Sequence, residues 1–314
     1  MTPNRRGVDE LSFGLSFLRF PDLFPGRRSG EPWGDRVLAL DVAGGPYLFS
    51  GLSPEQEEAV RRKFGGLCRE GADEAVSTRV FRAPASDFAE VDVRGWEYTL
   101  DMEHEPASVR LAGLRLMARL DWTPGLSGGL WTSEGAGEEW TSVFENYLRV
   151  LTAHRLLEEG GALIHSAGIT DGERAWLLLG PSGAGKTTAS RLCLERGASV
   201  LSDDLNAVRL GEDGARLERL PFTGDLGDRS GGPSLHPLRA VLRLNKGTVE
   251  GTRPLTPAGA LAGLVAAAPF VNRDPWRREA LLAVLERLAR SVPAWELTFS
   301  LGGRVWDILR QLPP

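Results

Sequence analysis

The sequence predicts an α/β fold in two parts, a β-rich N-terminal domain over residues 1–138 and an α/β domain over residues 139–314. Three observations predict it. An apolar run, Ala175-Trp-Leu-Leu-Leu179, passes directly into a glycine loop, then a helical segment, then a second apolar run, Ala198–Ser202. That succession is the one from which α/β cores are built. The chain before it instead carries short β-like runs separated by Gly/Pro turns. Between the two lies the densest glycine stretch, Gly125-Leu-Ser-Gly-Gly129 and Ser133-Glu-Gly-Ala-Gly137, where the boundary is expected.

In the first part, Arg36–Val42 and Gly95–Asp101 read as strands, and one helix stands out. Ser53 precedes Pro54 at the first helical position, Gln56 completes a capping box, and Gly65-Gly66 stops the helix after Phe64. Trp96, Tyr98, Trp122 and Trp131 read as core packing. In the second part, Val143, Tyr147, Val150, Leu151, Ala153 and Leu157 recur at helical spacing from Trp140 to Glu159, ended by Gly160-Gly161. Ala162–Gly168 and Ala175–Leu179 flank a turn at Asp171-Gly172 and read as a hairpin or a pair of adjacent core strands. After the glycine loop come a helix over Thr187–Arg196, a strand over Ala198–Ser202, and a hairpin of Asn206–Leu210 with Arg216–Leu220. A strand at Ala240–Leu244, helices around Pro257–Ala268 and Pro275–Ser291, and a closing strand and helix at Ala294–Phe299 and Val305–Leu309 complete the chain.

Composition narrows the function classes. Of 314 residues, 42% are hydrophobic and 25% charged, an ordinary globular balance whose length suits two modest domains. The formal net charge of −5 argues against a nucleic-acid partner, which a basic face would announce. Cys68 and Cys193, far apart in sequence, suit a reducing compartment and read as buried thiols. No run reaches the roughly 18 apolar residues of a membrane span, and the opening Met1-Thr-Pro-Asn-Arg-Arg6 lacks a secretory apolar stretch. The expected location is the cytoplasm, with no membrane partner. His104, His154 and His236 have no sequence partner that suggests chemistry, and the four histidines show no zinc-ligand spacing.

The loop Gly180-Pro181-Ser182-Gly183-Ala184-Gly185-Lys186-Thr187-Thr188 matches the phosphate-loop pattern and stands between a strand and a helix, the context it requires. Glycines let successive N–H groups turn inward on an anion, and the helix adds the positive end of its dipole. Lys186 is expected at the β- and γ-phosphates, Thr187 on Mg²⁺, and Thr188 as a further phosphate contact; the ligands implied are ATP and Mg²⁺.

Asp203-Asp204 follows the next strand, which in a parallel sheet would bring both carboxylates to the edge where the loop lies. One would hold the metal and the other accept the proton of an attacking hydroxyl; the plainer reading is a turn or helix cap. His165, just upstream, carries two readings, a structural strand end or a donor at the γ-phosphate. Asp225, Asp228 and Arg229 lie in a glycine-rich stretch, Gly224–Gly232, readable as a flap or a plain surface loop. Arg277-Arg278 after Trp276 reads as a solvated helix start or a contact to a phosphorylated or acidic partner.

Taken together, Ile164-His-Ser-Ala-Gly168, the loop Gly180–Thr187, Glu195-Arg-Gly197 and Leu201-Ser-Asp-Asp204 resemble the catalytic core of the HPr kinase/phosphorylase family, closest to members with a divergent N-terminal domain. The resemblance covers Gly161–Leu210 and extends loosely toward the C-terminus. It implies a P-loop kinase core related to HPr kinase and phosphoenolpyruvate carboxykinase. It also implies phosphate transfer to a serine hydroxyl of a protein. On it, His165 corresponds to the active-site histidine, Lys186 to the loop lysine, Thr187 to the magnesium-binding hydroxyl and Asp204 to the proton acceptor, with Asp203 beside the metal. Thr188 stands where the bifunctional enzymes commonly carry an acid, and no Glu-x-Arg-Gly segment follows, so phosphorolysis is not carried over. Glu218 or Asp225 is the expected substitute ligand. The expected function is an ATP-dependent kinase acting on a protein or peptide hydroxyl; a small-molecule acceptor and a non-catalytic ATP-binding sensor or adaptor stay open. Homo-oligomerisation is expected by resemblance alone.

Overall fold

The computed structural model of the protein describes residues 30–71, 73–88, 100–222, 224–226, 235–300 and 304–313. Trp96, Tyr98, Asp228, Arg229 and most of the expected strand Gly95–Asp101 lie outside the described residues. Two compact units divide between Leu151 and Thr152, inside a helix that begins at Gly137. The architecture is mixed α/β, with one large sheet in each unit. No helix among the described residues is long and apolar enough to cross a membrane.

The first unit contains β1 (Arg36–Leu40), β2 (Tyr47–Leu52), α1 (Pro54–Phe64), β3 (Cys68–Arg69), β4 (Val76–Arg82), β5 (Asp101–His104), β6 (Ser108–Gly113), β7 (Leu116–Asp121), β8 (Ser127–Thr132) and the start of α2 (Gly137–Glu158). Its eight strands run in the order β3-β1-β2-β4-β8-β7-β6-β5, with β2, β4 and β8 mutually parallel in sequence and the other pairs antiparallel. The expected capping box forms: the Gln56 amide donates to Ser53 Oγ at 3.2 Å and the Ser53 amide to Gln56 Oε1 at 3.1 Å. The apolar stripe of α2 buries Phe144 and Tyr147 against Phe49, whose ring lies 4.6 Å from that of Phe144. Tyr147 reaches Thr78 Oγ1 at 2.8 Å, and Gly128 leaves the room: a Cβ there would sit 1.8 Å from the tyrosine hydroxyl. Trp131 and Trp122 are half-buried rather than enclosed, Trp131 stacking on Phe81 at 5.1 Å. Cys68 also departs from expectation, since its edge strand leaves it half-buried, whereas Cys193 is buried as expected.

The second unit contains β9 (Ala162–His165), β10 (Ala167–Thr170), β11 (Ala175–Leu179), α3 (Lys186–Leu194), β12 (Ser199–Ser202), β13 (Leu205–Gly211), β14 (Gly214–Arg219), β15 (Leu235–Lys246), β16 (Gly251–Pro254), α4 (Pro257–Ala267), α5 (Arg278–Ser291), β17 (Ala294–Phe299) and α6 (Val305–Gln311). The strands run β12-β10-β11-β15-β14-β13-β9, with β17 on β15 and β16 on β17. Every residue of β11 is buried, as expected of a strand covered on both faces. Trp176 and Leu178 point into a core with Cys193 of α3 and Trp306 of α6, while α4 approaches the alternate face at Leu179.

One local expectation is corrected, and the place of the strand after α3 is added to another. The run Ala162–Gly168 is not one strand: it breaks at Ser166, after which β10 turns to pair with β11 and β12 while β9 pairs with β13. Nor does the strand after α3 lie beside β11. β12 pairs with β10, itself antiparallel to β11, so β11 and β12 share a direction with one strand between them. The carboxyl ends of β11 and β12 therefore still meet at one edge of the sheet.

Candidate functional site

At that edge the loop leaves β11 and enters α3. Gly183 and Gly185 adopt φ of 76° and 98°, the left-handed region open to glycine. Close approach adds a second reason at Gly185, where a Cβ would come within 2.8 Å of the Phe299 ring. Gly185 is also the N-cap of α3 and supplies no side-chain acceptor, so the first-turn amides have no cap from the chain. Lys186 Nζ folds back to donate to the Gly180 carbonyl at 2.9 Å. Burial pulls the Lys186 pKa below its ordinary value, opposed by the nearby charges of Asp204 and Asp203.

The acids arrive from β12. Thr187 Oγ1 donates to Asp203 Oδ2 at 3.1 Å, and the Leu226 amide donates to Asp203 Oδ1 at 3.2 Å, so this buried carboxylate ties the first turn of α3 to the segment after β14. Asp204 turns the other way: its Oδ1 lies 3.6 Å from His165 Nε2, and both side chains remain partly exposed. A cavity of about 370 Å³ is lined by His165, Ser182, Gly183, Gly185, Lys186, Thr187, Thr188, Asp203 and Lys246. Gly180, Pro181 and Ala184 build the loop behind this lining, the Ala184 amide donating to the Pro181 carbonyl at 3.0 Å. Asp204 reaches the site beside His165 rather than as part of the lining.

Three residues that sequence reasoning passed over hold this arrangement. Asn206 Nδ2 donates to the Ser166 carbonyl at 2.9 Å and lies 3.3 Å from the Ser202 carbonyl, linking the residue after His165 to the residue before Asp203. Ser202 Oγ accepts from the Asp204 and Leu205 amides, each at 3.2 Å, and donates to the Phe222 carbonyl at 3.0 Å. Ser166, Ser202 and Asn206 are fully buried, which makes each of these bonds costly to lose. Ser166 and Ser202 stand inside the motifs that carry the family resemblance, but nothing in the sequence assigned them or Asn206 this holding role.

Other expected participants fall elsewhere. Glu218 pairs with Arg209 at 3.2 Å, and Arg209 also pairs with Glu159, so Glu218 is committed to an ion network outside the cavity lining. Asp225 is exposed beside Leu226, whose amide holds Asp203. Among the described residues, no group of three or more His, Cys, Asp or Glu side chains is arranged to hold a metal ion. Arg277 holds the fully buried Asp274 at 2.8 Å, and Asp274 in turn accepts from the Trp276 and Arg277 amides, so this basic residue anchors a helix start; Arg278 is exposed.

No protein-family model matches this chain, and comparison with curated proteins finds no match. The functional reading therefore rests on the residues and their geometry.

Proposed function

We propose that this chain is an ATP-dependent kinase of the HPr kinase-like type, built on a P-loop core, that transfers the γ-phosphate to a hydroxyl, a serine of a protein or peptide. One observation carries the reading: a single cavity gathers the glycine loop, Lys186, Thr187, Asp203 and His165, with Asp204 next to that histidine. A loop of positive-φ glycines opening an uncapped helix suits a phosphate chain, and the cavity gives it room.

The donors suit Mg²⁺. Thr187 Oγ1 and Asp203 Oδ2, 3.1 Å apart, are the hard oxygens that this cation prefers. Bound there, Mg²⁺ would neutralise charge on the phosphates, with its remaining positions left to phosphate oxygens and water.

The chain's own residues then divide the work. Lys186, released from the Gly180 carbonyl, neutralises the β- and γ-phosphates. Asp204 takes the proton from the acceptor hydroxyl as that oxygen bonds to the γ-phosphorus and the bond to the ADP oxygen breaks. His165 orients the Asp204 carboxylate. Asn206 and Ser202 keep the two strand ends in register.

Asp204→Asn tests the reading. In the presence of radiolabelled ATP and a cell extract, the wild type should label a product, and the variant should lose about 10²–10⁴-fold of that rate, the range for a lost proton acceptor, with ATP affinity retained. Tight ATP binding without labelled product under any condition would point instead to a nucleotide sensor.

A further inference from the structure

The lining contains a residue that the kinase reading has not used. Lys246 ends β15, which runs parallel to β11 with Arg243 beside Leu179, so Leu244, Asn245 and Lys246 continue past the end of β11 and flank the glycine loop. Leu244 Cβ lies 3.8 Å from where a Gly180 Cβ would stand, and Lys246 Cε 3.3 Å from the equivalent point at Gly185.

Strand alternation makes this placement informative. Leu242, Leu244 and Lys246 share one face of β15, and the first two are buried in the core with Phe299. The third position on that face carries an ammonium group, exposed at the strand end and lining the cavity. Lys246 has no ion-pair partner among the described residues, whereas Lys186 of the same lining is tethered to the Gly180 carbonyl. With Lys186, it sets two cationic groups against the one carboxylate, Asp203, in the cavity lining. Such a lining favours a polyanion over a neutral ligand.

We propose that Lys246 is a second phosphate-binding residue of the site, holding the nucleotide's phosphate chain from the strand side while Lys186 holds it from the loop. The proposal rests on the nucleotide reading given above and adds a contact to it. Lysine binds phosphate as a mobile point charge, and the four-carbon stem of Lys246, lying against Gly185, lets the amine follow the phosphates. The competing reading is a lysine that extends its amine to water from a strand end and touches no ligand.

The experiment is calorimetric titration of the full chain with Mg²⁺-ATP, and separately with inorganic triphosphate, at two salt concentrations. Wild type, Lys246→Met, Lys246→Arg and Lys186→Ala are compared. Lys246→Met keeps the apolar stem, and its melting temperature should match the wild type. The expected result is about tenfold weaker binding of both ligands to Lys246→Met, as for loss of one charge-assisted contact, with a shallower salt dependence and recovery in Lys246→Arg. Unchanged affinity in Lys246→Met, alongside loss in Lys186→Ala, would overturn this proposal and leave the nucleotide reading intact. Weakened ATP but unchanged triphosphate binding would also overturn it, since the contact would then be to base or ribose. Failure of the wild type to bind either ligand would overturn both readings.

Discussion

The starts of α1 and α3 solve the same problem in opposite ways. Each helix begins with N–H groups that lack intrahelical partners. At α1 the chain satisfies its own amides through the reciprocal Ser53–Gln56 bonds, and the Gln56 side chain goes on to donate to the Glu134 carbonyl at 2.9 Å. At α3 the N-cap is Gly185, with no side chain to offer. Thr256 likewise caps α4, and Asp274 accepts from the amides that lead into α5, whereas the N-cap of α6, Arg304, makes no side-chain cap bond. On the proposed reading, the helix start left open at α3, beside a lysine and a buried carboxylate, would be held ready for an anion at a cost in stability of the ligand-free protein.

The contrast can be broken or sharpened by substitution. Lys186→Ala should have the largest effect, weakening ATP binding by about 2–5 kcal/mol, the range for removing one partner of a buried charge contact, as read by calorimetry. Next, Gly185→Ala forces a side chain into φ of 98° and against the Phe299 ring; it should cost about 1–3 kcal/mol of stability in denaturant unfolding and weaken ATP binding as well. Ser53→Ala should cost about 1 kcal/mol of stability and leave ATP affinity unchanged, since the cap at α1 serves only the fold. A change in ATP affinity with Ser53→Ala would erase the distinction drawn here.

The smallest effect is a pH dependence. Burial lowers the Lys186 pKa below its ordinary 10.5, so the unfolded chain binds more protons than the folded one between the lowered value and 10.5. Stability of the ligand-free protein should therefore rise with pH across that alkaline window. Lys186→Met removes the buried charge and should melt above the wild type at neutral pH, with the gap closing as the pH approaches 10.5. A gap that widens with pH would contradict the burial argument.

Much of this was legible in the sequence where the signal is local. The capping box around Ser53, the Asp171-Gly172 hairpin and the strand–loop–helix passage at Gly180 each depend on residues a few positions apart. What could not be read depends on pairing between distant segments. Ser166 breaks an apolar run because Asn206, forty positions later, takes its carbonyl. β15 begins at Leu235 rather than at Ala240, since Pro237 sits where β15 crosses from pairing with β14 to pairing with β11. β16 is exposed throughout and carries no alternating apolar signal. Lys246 was invisible for the same reason: its neighbour, Gly185, is set by the parallel register of β15 on β11, which nothing in Val241-Leu-Arg-Leu-Asn-Lys246 announces.

The strand inserted between β11 and β12 has a mechanical consequence. The loop and the acidic pair hang from strands two places apart, roughly 9–10 Å at the usual inter-strand spacing, and that span is gauged by backbone ladders on both sides of β10. Side chains on β10 can therefore vary in volume with little change in the calibre of the cleft, except at Gly168, where a Cβ would come within 2.4 Å of Asn206 Oδ1. Substitutions there should show as lost thermal tolerance well before they show as altered ligand selectivity, whereas a one-residue slip in either ladder would alter both at once.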